Sequence, residues 1–236
     1  MGNRKEIITI GSYVHVCNRG VKKLPIYRQK SDLWRMWFNL FYLNSSYVSE
    51  NWARKLEDHN KDAMKNFVWL EEWGPRKPLV SILAYTIMPN HFHLILKEIE
   101  KGGISRFMHK FSMGYAKFIN TKYKENGSLF QGRYRSKTIV DDTYLQYVTA
   151  YVMAKNPIEL YAGGLKAAVS DFESAWKWAV EYPFSSLAEY AGRRTTPIIE
   201  KDLLGELFES EKAIKNFSKD CILGMNLEDE EFNLYL

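Results

Sequence analysis

The chain has 236 residues, of which 46% are hydrophobic, 15% aromatic and 26% charged, a composition that excludes a disordered chain and provides ample core material. Only 14 Gly and 7 Pro are spread along its length, which excludes fibrous repeats and low-complexity segments. Two cysteines, Cys17 and Cys221, match no metal spacing or disulfide framework, and the longest strongly apolar runs, such as WFNLFYL at 37–43, fall well short of the ~20 residues that span a bilayer. The expectation is a cytoplasmic protein without a membrane partner. The opening MGNRKE places charges where a secretory signal needs apolar residues.

In chain order, IITIGSYVHVC at 7–17 is rich in β-formers and ends at NRG, so a first strand is predicted near Tyr13 to Cys17. From Ser31, LWRMWFNLFYL has the apolar density of a buried amphipathic helix. Residues 45–78 form a polar excursion that reads as an insertion. LVSILAYTI at 79–87 and HFHLILKEI at 91–99, joined by MPN, predict two adjacent antiparallel strands, both central by their near-continuous apolarity. Ile104, Phe107, Phe111, Tyr115, Phe118 and Ile119 recur at helical spacing, with Arg106, Lys110, Lys117 and Lys124 on another face. RYRSKTIV at 133–140 predicts a further strand. A second long helix starts at Asp141 or Asp142 and runs to Asn156, where Pro157 stops it. The order β, α, β, β, α, β, α predicts an α+β class with a ferredoxin-like split βαβ antiparallel sheet and helices packed on it. Residues 1–160 are the expected main domain, and 161–236 a mainly helical C-terminal appendage.

The formal excess of +5 is modest, but its distribution is not. Residues 101–137 hold nine basic side chains against the single acid Glu125, and residues 1–30 hold seven against Glu6, while the end NLEDEEFNLYL is acidic. A polyanion is the partner that such clustering fits.

His91 and His93 flank Phe92 on a predicted strand, where alternation places both imidazoles on one face, ~7 Å apart along the backbone and within reach of one divalent ion. Two ligands do not complete a metal site, so a third must come from elsewhere. The helix after Asp142 supplies a stripe of phenols, Tyr144, Tyr147 and Tyr151. A free phenol has a pKa of ~10, so attack on a phosphodiester near neutral pH needs local positive charge or a base, and a polarised phosphate.

MPNHFHLIL at 88–96, ISRFMHKFSMGYAKFINTKYKENGSLFQGRYRS at 104–136 and DDTYLQYVTAYVMAKNP at 141–157 together resemble the single-tyrosine HUH transposases, and most of all their REP-associated tyrosine transposase branch. The likeness spans residues 7–160, with an echo in YPFSSLAEYAG at 182–192. It implies an HUH nuclease fold in which His91 and His93 hold Mg²⁺ or Mn²⁺ and Tyr151 attacks single-stranded or hairpin DNA, leaving a 5′-phosphotyrosine and a free 3′-hydroxyl. Tyr147 is the runner-up nucleophile. Where the family places an Asn or Gln four residues after the nucleophile this chain has Lys155, with Asn156 one residue further. Arg106, Lys110, Lys117, Arg133, Arg135 and Lys137 are the expected phosphate contacts, Gln131 and Asn90 further DNA contacts, and Phe130 and Tyr134 either base-stacking platforms or core. Family relatives include both monomers and homodimers. Two other readings stand beside this one: a catalytically impaired binder of single-stranded or hairpin nucleic acid on the same fold, and a hydrolase of small phosphoesters using the same histidines.

Overall fold

The computed structural model describes residues 8–224; the acidic end at 226–236 and the basic residues Arg4 and Lys5 lie outside them. The elements run β1 (Tyr13–Arg19), α1 (Lys30–Tyr42), α2 (Trp52–His59), β2 (Val80–Ile87), β3 (His91–Glu98), α3 (Gly103–Tyr123), β4 (Arg135–Ile139) and α4 (Asp142–Ala150). A π turn over Tyr151–Lys155 follows, and then α5 (Asn156–Ile158), α6 (Gly164–Ser170), α7 (Phe172–Glu181), α8 (Leu187–Tyr190), α9 (Asp202–Leu207) and α10 (Glu211–Gly224). All pairings in the four-stranded sheet are antiparallel, in the order β2-β3-β1-β4. That is the split βαβ arrangement expected from the order of elements.

The alternation of each strand divides the molecule in two. Val14, Val16, Phe92, Leu94 and Leu96 face α1 and α3, whose Met36, Leu40, Phe107, Phe111 and Tyr115 complete one core. On the opposite face Ile95 and Ile139 pack with Leu145, Val148 and Tyr151, and with Ala175, Trp176, Ile214 and Ile222 from the C-terminal helices. The excursion at 45–78 lies on α1, where Tyr42 stacks on Trp52 at 4.5 Å and Phe41 meets Phe67 edge-on at 5.1 Å. Asp32 joins the two helices of the first core. Fully buried, it accepts from the backbone N–H groups of Arg28 and Gln29, from Lys122 Nζ at 2.6 Å and from Tyr123 Oη at 2.7 Å. Burial pushes its carboxyl up, and these donors outweigh that penalty and hold it below the usual carboxylate range.

One expectation needs correction: β2 is an edge strand of the sheet, not a central one. Its apolarity has another cause, for the C-terminal segment seals that edge. Ile87 N–H donates to Phe184 O at 2.8 Å, Ser186 N–H to Tyr85 O at 3.0 Å and Glu200 N–H to Ile82 O at 3.0 Å. A covered edge offers no backbone groups to a foreign strand and can be apolar on both faces. Among the described residues no helix is long and apolar enough to cross a membrane.

Candidate active site: a histidine pair beside a buried tyrosine

β3 places His91, His93 and Ile95 on the face turned to α4, and the register sets His93 opposite Cys17 of β1 and Thr86 of β2. Both imidazoles are buried, His91 at 8% and His93 at 1% exposure. His91 Nδ1 lies 2.7 Å from Asn90 Oδ1, while Asn90 Nδ2 donates to Lys23 O at 3.2 Å. The amide is thereby oriented with its oxygen toward the ring, so His91 carries its proton on Nδ1. His93 Nδ1 lies 2.8 Å from His15 Nε2, the two rings within 13° of parallel. The Nε2 atoms of His91 and His93 are both buried and without a hydrogen-bond partner, and the rings meet edge-on with centroids 5.0 Å apart.

Burial lowers the pKa of all three histidines. His91 falls to about 4, with Arg19 and Lys155 adding to the burial penalty, and His15 to about 4, with Lys137 adding. His93 is pushed well below 6.5 by burial first and then by His15, His91 and Lys155. Neutral imidazoles are the form that ligates metal. The same shifts make the metal-free fold acid-sensitive. Below the unfolded value of ~6.5 the unfolded chain takes up protons that the fold refuses, so stability falls as the pH drops from ~6.5 toward 4. His15 and His91 together are expected to cost about 4 kcal/mol at pH 5 relative to pH 7.5, read as a fall in the urea midpoint of the chelator-treated protein.

Tyr151 completes the cluster. It is 2% exposed, and its ring meets that of His93 edge-on with centroids 5.5 Å apart. Lys155 Nζ lies 4.7 Å from the centre of the phenol ring and is ion-paired with Glu159. Burial raises the Tyr151 hydroxyl well above 10, and Glu159, Cys17 and Tyr147 raise it further. Tyr147 and Tyr144 are half-buried, and Tyr144 lies under Lys137 at 4.5 Å.

The predicted helix from Asp142 to Asn156 is not continuous, because a π turn interrupts it at the tyrosine. Asn156 N–H donates to Tyr151 O, an i to i+5 bond. Side-chain hydroxyls from other elements accompany the change, since Thr86 Oγ1 donates to Val152 O and Ser185 Oγ donates to Met153 O at 2.9 Å. Such side-chain bonds compete with the helix's own i to i+4 ladder. The consequence falls on register. A turn that takes in one extra residue brings position 156 near the azimuth that position 155 would hold on an α-helix. Asn156 is fully buried, and neither atom of its amide has a hydrogen-bond partner.

The basic residues separate into two groups. Arg106 and Lys110 belong to α3, on the far side of the sheet from the histidines, and both are engaged. Arg106 pairs with Glu100 at 2.5 Å, and Lys110 donates to Ser45 O at 2.7 Å and Ser46 O at 2.8 Å. Lys117 is exposed beside a groove formed by α3 and the loop 124–130. Arg133 and Arg135, with Arg19, Gln131 and Cys17, line a cavity of about 260 Å³. Its Cys17 also acts electrostatically on Tyr151. Alternation along β4 puts Lys137 on the same face as Arg135. Phe130 is core, Tyr134 is half-buried against that core, and Asn90 is occupied with His91.

Nothing local in the sequence singles out His15 and Arg19 as site residues. The alternation of Tyr13, His15, Cys17 and Arg19 was legible, but the pairing of β1 with β3 that brings them beside the histidines is a long-range fact. Among the described residues no three His, Cys, Asp or Glu side chains converge as a metal site.

Residues 75–155 match the family described as "Transposase IS200 like". That span runs from before β2 through the π turn and includes both histidines and Tyr151, so the resemblance to a transposase family read from the sequence is borne out over this segment. Comparison with curated proteins gives no significant match. Among solved structures, the REP-associated tyrosine transposase bound to a REP hairpin aligns with 85% of this chain and 91% of its own at 12% identity and a TM-score of 0.46. A putative transposase from Deinococcus radiodurans R1 aligns with 62% of this chain and 92% of its own at 16% identity and a TM-score of 0.26.

Proposed function

We propose that this protein is a metal-dependent endonuclease and strand transferase acting on single-stranded, hairpin-containing DNA through Tyr151. The observation that carries the reading is the pair of buried, unpartnered Nε2 atoms on His91 and His93 beside the Tyr151 ring. A divalent ion fits there, for both rings direct Nδ1 to a hydrogen-bond partner and keep a second nitrogen in reserve, as metal-bound histidines do. When bound, Mg²⁺ or Mn²⁺ supplies a Lewis acid that polarises the scissile phosphate.

The chain's own residues do the rest. Tyr151 Oη attacks phosphorus and passes its proton to solvent, the P–O3′ bond breaks, and the departing 3′ oxygen takes up a proton from solvent to become a hydroxyl. The 5′ phosphate stays on the tyrosine, and attack by a 3′-hydroxyl reverses the step and rejoins DNA. The phenol's proton is held tightly by burial, so positive charge nearby must favour its loss, a part we assign to the bound metal and to Lys155 over the ring. Arg19, Arg133 and Arg135 line the cavity that Cys17 shares with the site, and we assign them to the phosphates of the incoming strand. In this reading the C-terminal helices wall in the tyrosine.

The test is to incubate the protein with single-stranded hairpin DNA and Mn²⁺, Mg²⁺ or chelator, and to look for a metal-dependent covalent adduct on a denaturing gel, mapped by peptide mass spectrometry. Retention of hairpins without any adduct would favour the impaired binder instead, a reading motivated by Lys155 at the family's ligand position. The two groups of basic residues give a second check. Arg133→Gln with Arg135→Gln is expected to weaken single-strand binding about tenfold and to reduce the salt slope, log K against log salt, by ~0.7 for each phosphate no longer neutralised. Arg106→Gln, remote from the site and paired with Glu100, is expected to leave both nearly unchanged.

A further inference from the structure

We infer that His15 is a positioning residue for this site: it accepts the Nδ1 proton of His93 and thereby holds the Nε2 lone pair of His93 toward the metal. The inference rests on reading His91 and His93 as the metal pair. It starts from an asymmetry between them. Asn90 offers His91 an amide oxygen, which only accepts, so the tautomer of His91 is settled by its neighbour alone. His93 instead faces another imidazole, and two neutral rings joined by one proton can hold it either way round. If His93 Nδ1 donates, its Nε2 keeps a lone pair matched to that of His91. If His15 Nε2 donates, the His93 proton moves to Nε2, where it would point at the ion and find no acceptor, since that atom has no partner in the fold.

The surroundings favour the first arrangement. His15 lies on β1 at the position after next from Cys17, which pairs with His93, so strand register rather than a flexible loop sets its ring. The two rings lie within 13° of parallel, with 2.8 Å between the facing nitrogens, so the contact runs nearly along the ring plane. His15 is 6% exposed, so water does not readily replace it as the acceptor. A second residue holding the far nitrogen of a ligating histidine commonly changes metal affinity by 10- to 100-fold. His15 is not itself a ligand here, because its Nε2 is spent on His93.

Two variants and two readouts test this. The imidazole ¹⁵N spectrum of the metal-free full chain is expected to show His93 protonated at Nδ1. Finding it protonated at Nε2 would overturn the inference. In His15→Phe, which keeps a ring but removes the acceptor, His93 is expected to lose that fixed tautomer and Mn²⁺ affinity, measured calorimetrically, to fall about 10- to 100-fold. His15→Gln, which restores an acceptor, is expected to recover most of the affinity. Thermal melting of each metal-free variant identifies any loss that comes from unfolding, which a purely structural role would produce and glutamine would not repair by way of the tautomer. Parental Mn²⁺ affinity in a folded His15→Phe sinks the inference. A parent protein that binds no Mn²⁺ overturns the metal reading itself, and the ¹⁵N spectrum still decides whether His15 sets His93.

Discussion

Tyr151→Phe is expected to abolish the covalent DNA adduct, a loss of about 10³-fold or more in its rate of formation, while the metal-free protein melts close to the parent. The ring is 2% exposed and packs in the second core with Val148, Val152 and Trp176, so phenylalanine preserves nearly all of the buried surface and removes the oxygen proposed to react. The companion variant decides the assignment. Tyr147→Phe, on the preceding turn and half-buried, is expected to keep the adduct within a few-fold of parental. If Tyr147→Phe abolishes the adduct and Tyr151→Phe does not, the nucleophile is the earlier tyrosine. The position of the ring beside His93 speaks for Tyr151. Loss in both variants with parental DNA binding would point to a hydroxyl network rather than to one nucleophile.

Much of this arrangement can be read from local patterns, and what cannot depends on contacts distant in sequence. The His-x-His spacing, the strand alternation around Phe92 and the helical recurrence from Ile104 to Ile119 are local, and each survives in the fold. The edge position of β2 is not local, because apolarity reports burial but not what does the burying: here the neighbour on its outer edge is the segment around Phe184 and Glu200 rather than a further strand of the sheet. The basic count over 101–137 was legible, whereas its division between two sides of the sheet follows from Arg106 and Lys110 lying on α3 and Arg135 on β4. The π turn had no local signal. The hydroxyls that meet its carbonyls come from Thr86, 66 residues from Val152, and from Ser185, 32 residues from Met153. The YPFSS stretch contains that serine, which braces the tyrosine element.

Asn156→Ala is expected to lower Mn²⁺ affinity and adduct formation about 10- to 100-fold, the range for losing a ligand-shell partner, whereas Lys155→Met is expected to bind Mn²⁺ slightly more tightly than the parent. The contrast follows from the widened turn. On a regular helix Lys155 would follow Tyr151 by one turn, and the candidate site would present an ammonium where the resemblance read from the sequence implies an amide. With Asn156 N–H bonded back to Tyr151 O, the residue one place further takes up that azimuth, and its amide is buried with both polar atoms unpartnered. An unpartnered buried amide costs about 1–3 kcal/mol, a cost that ligation through its oxygen would offset. Lys155 acts in the opposite sense. Its charge already disfavours protonation of His91 and His93, so it also opposes a dication there, tempered by Glu159. Parental Mn²⁺ binding in a folded Asn156→Ala would remove the amide from the site. Combining Thr86→Val with Ser185→Ala withdraws the two hydroxyls that meet the π-turn carbonyls; if they hold the register, the turn tightens toward an α-helix, Lys155 replaces Asn156, and Mn²⁺ affinity falls as it does in Asn156→Ala.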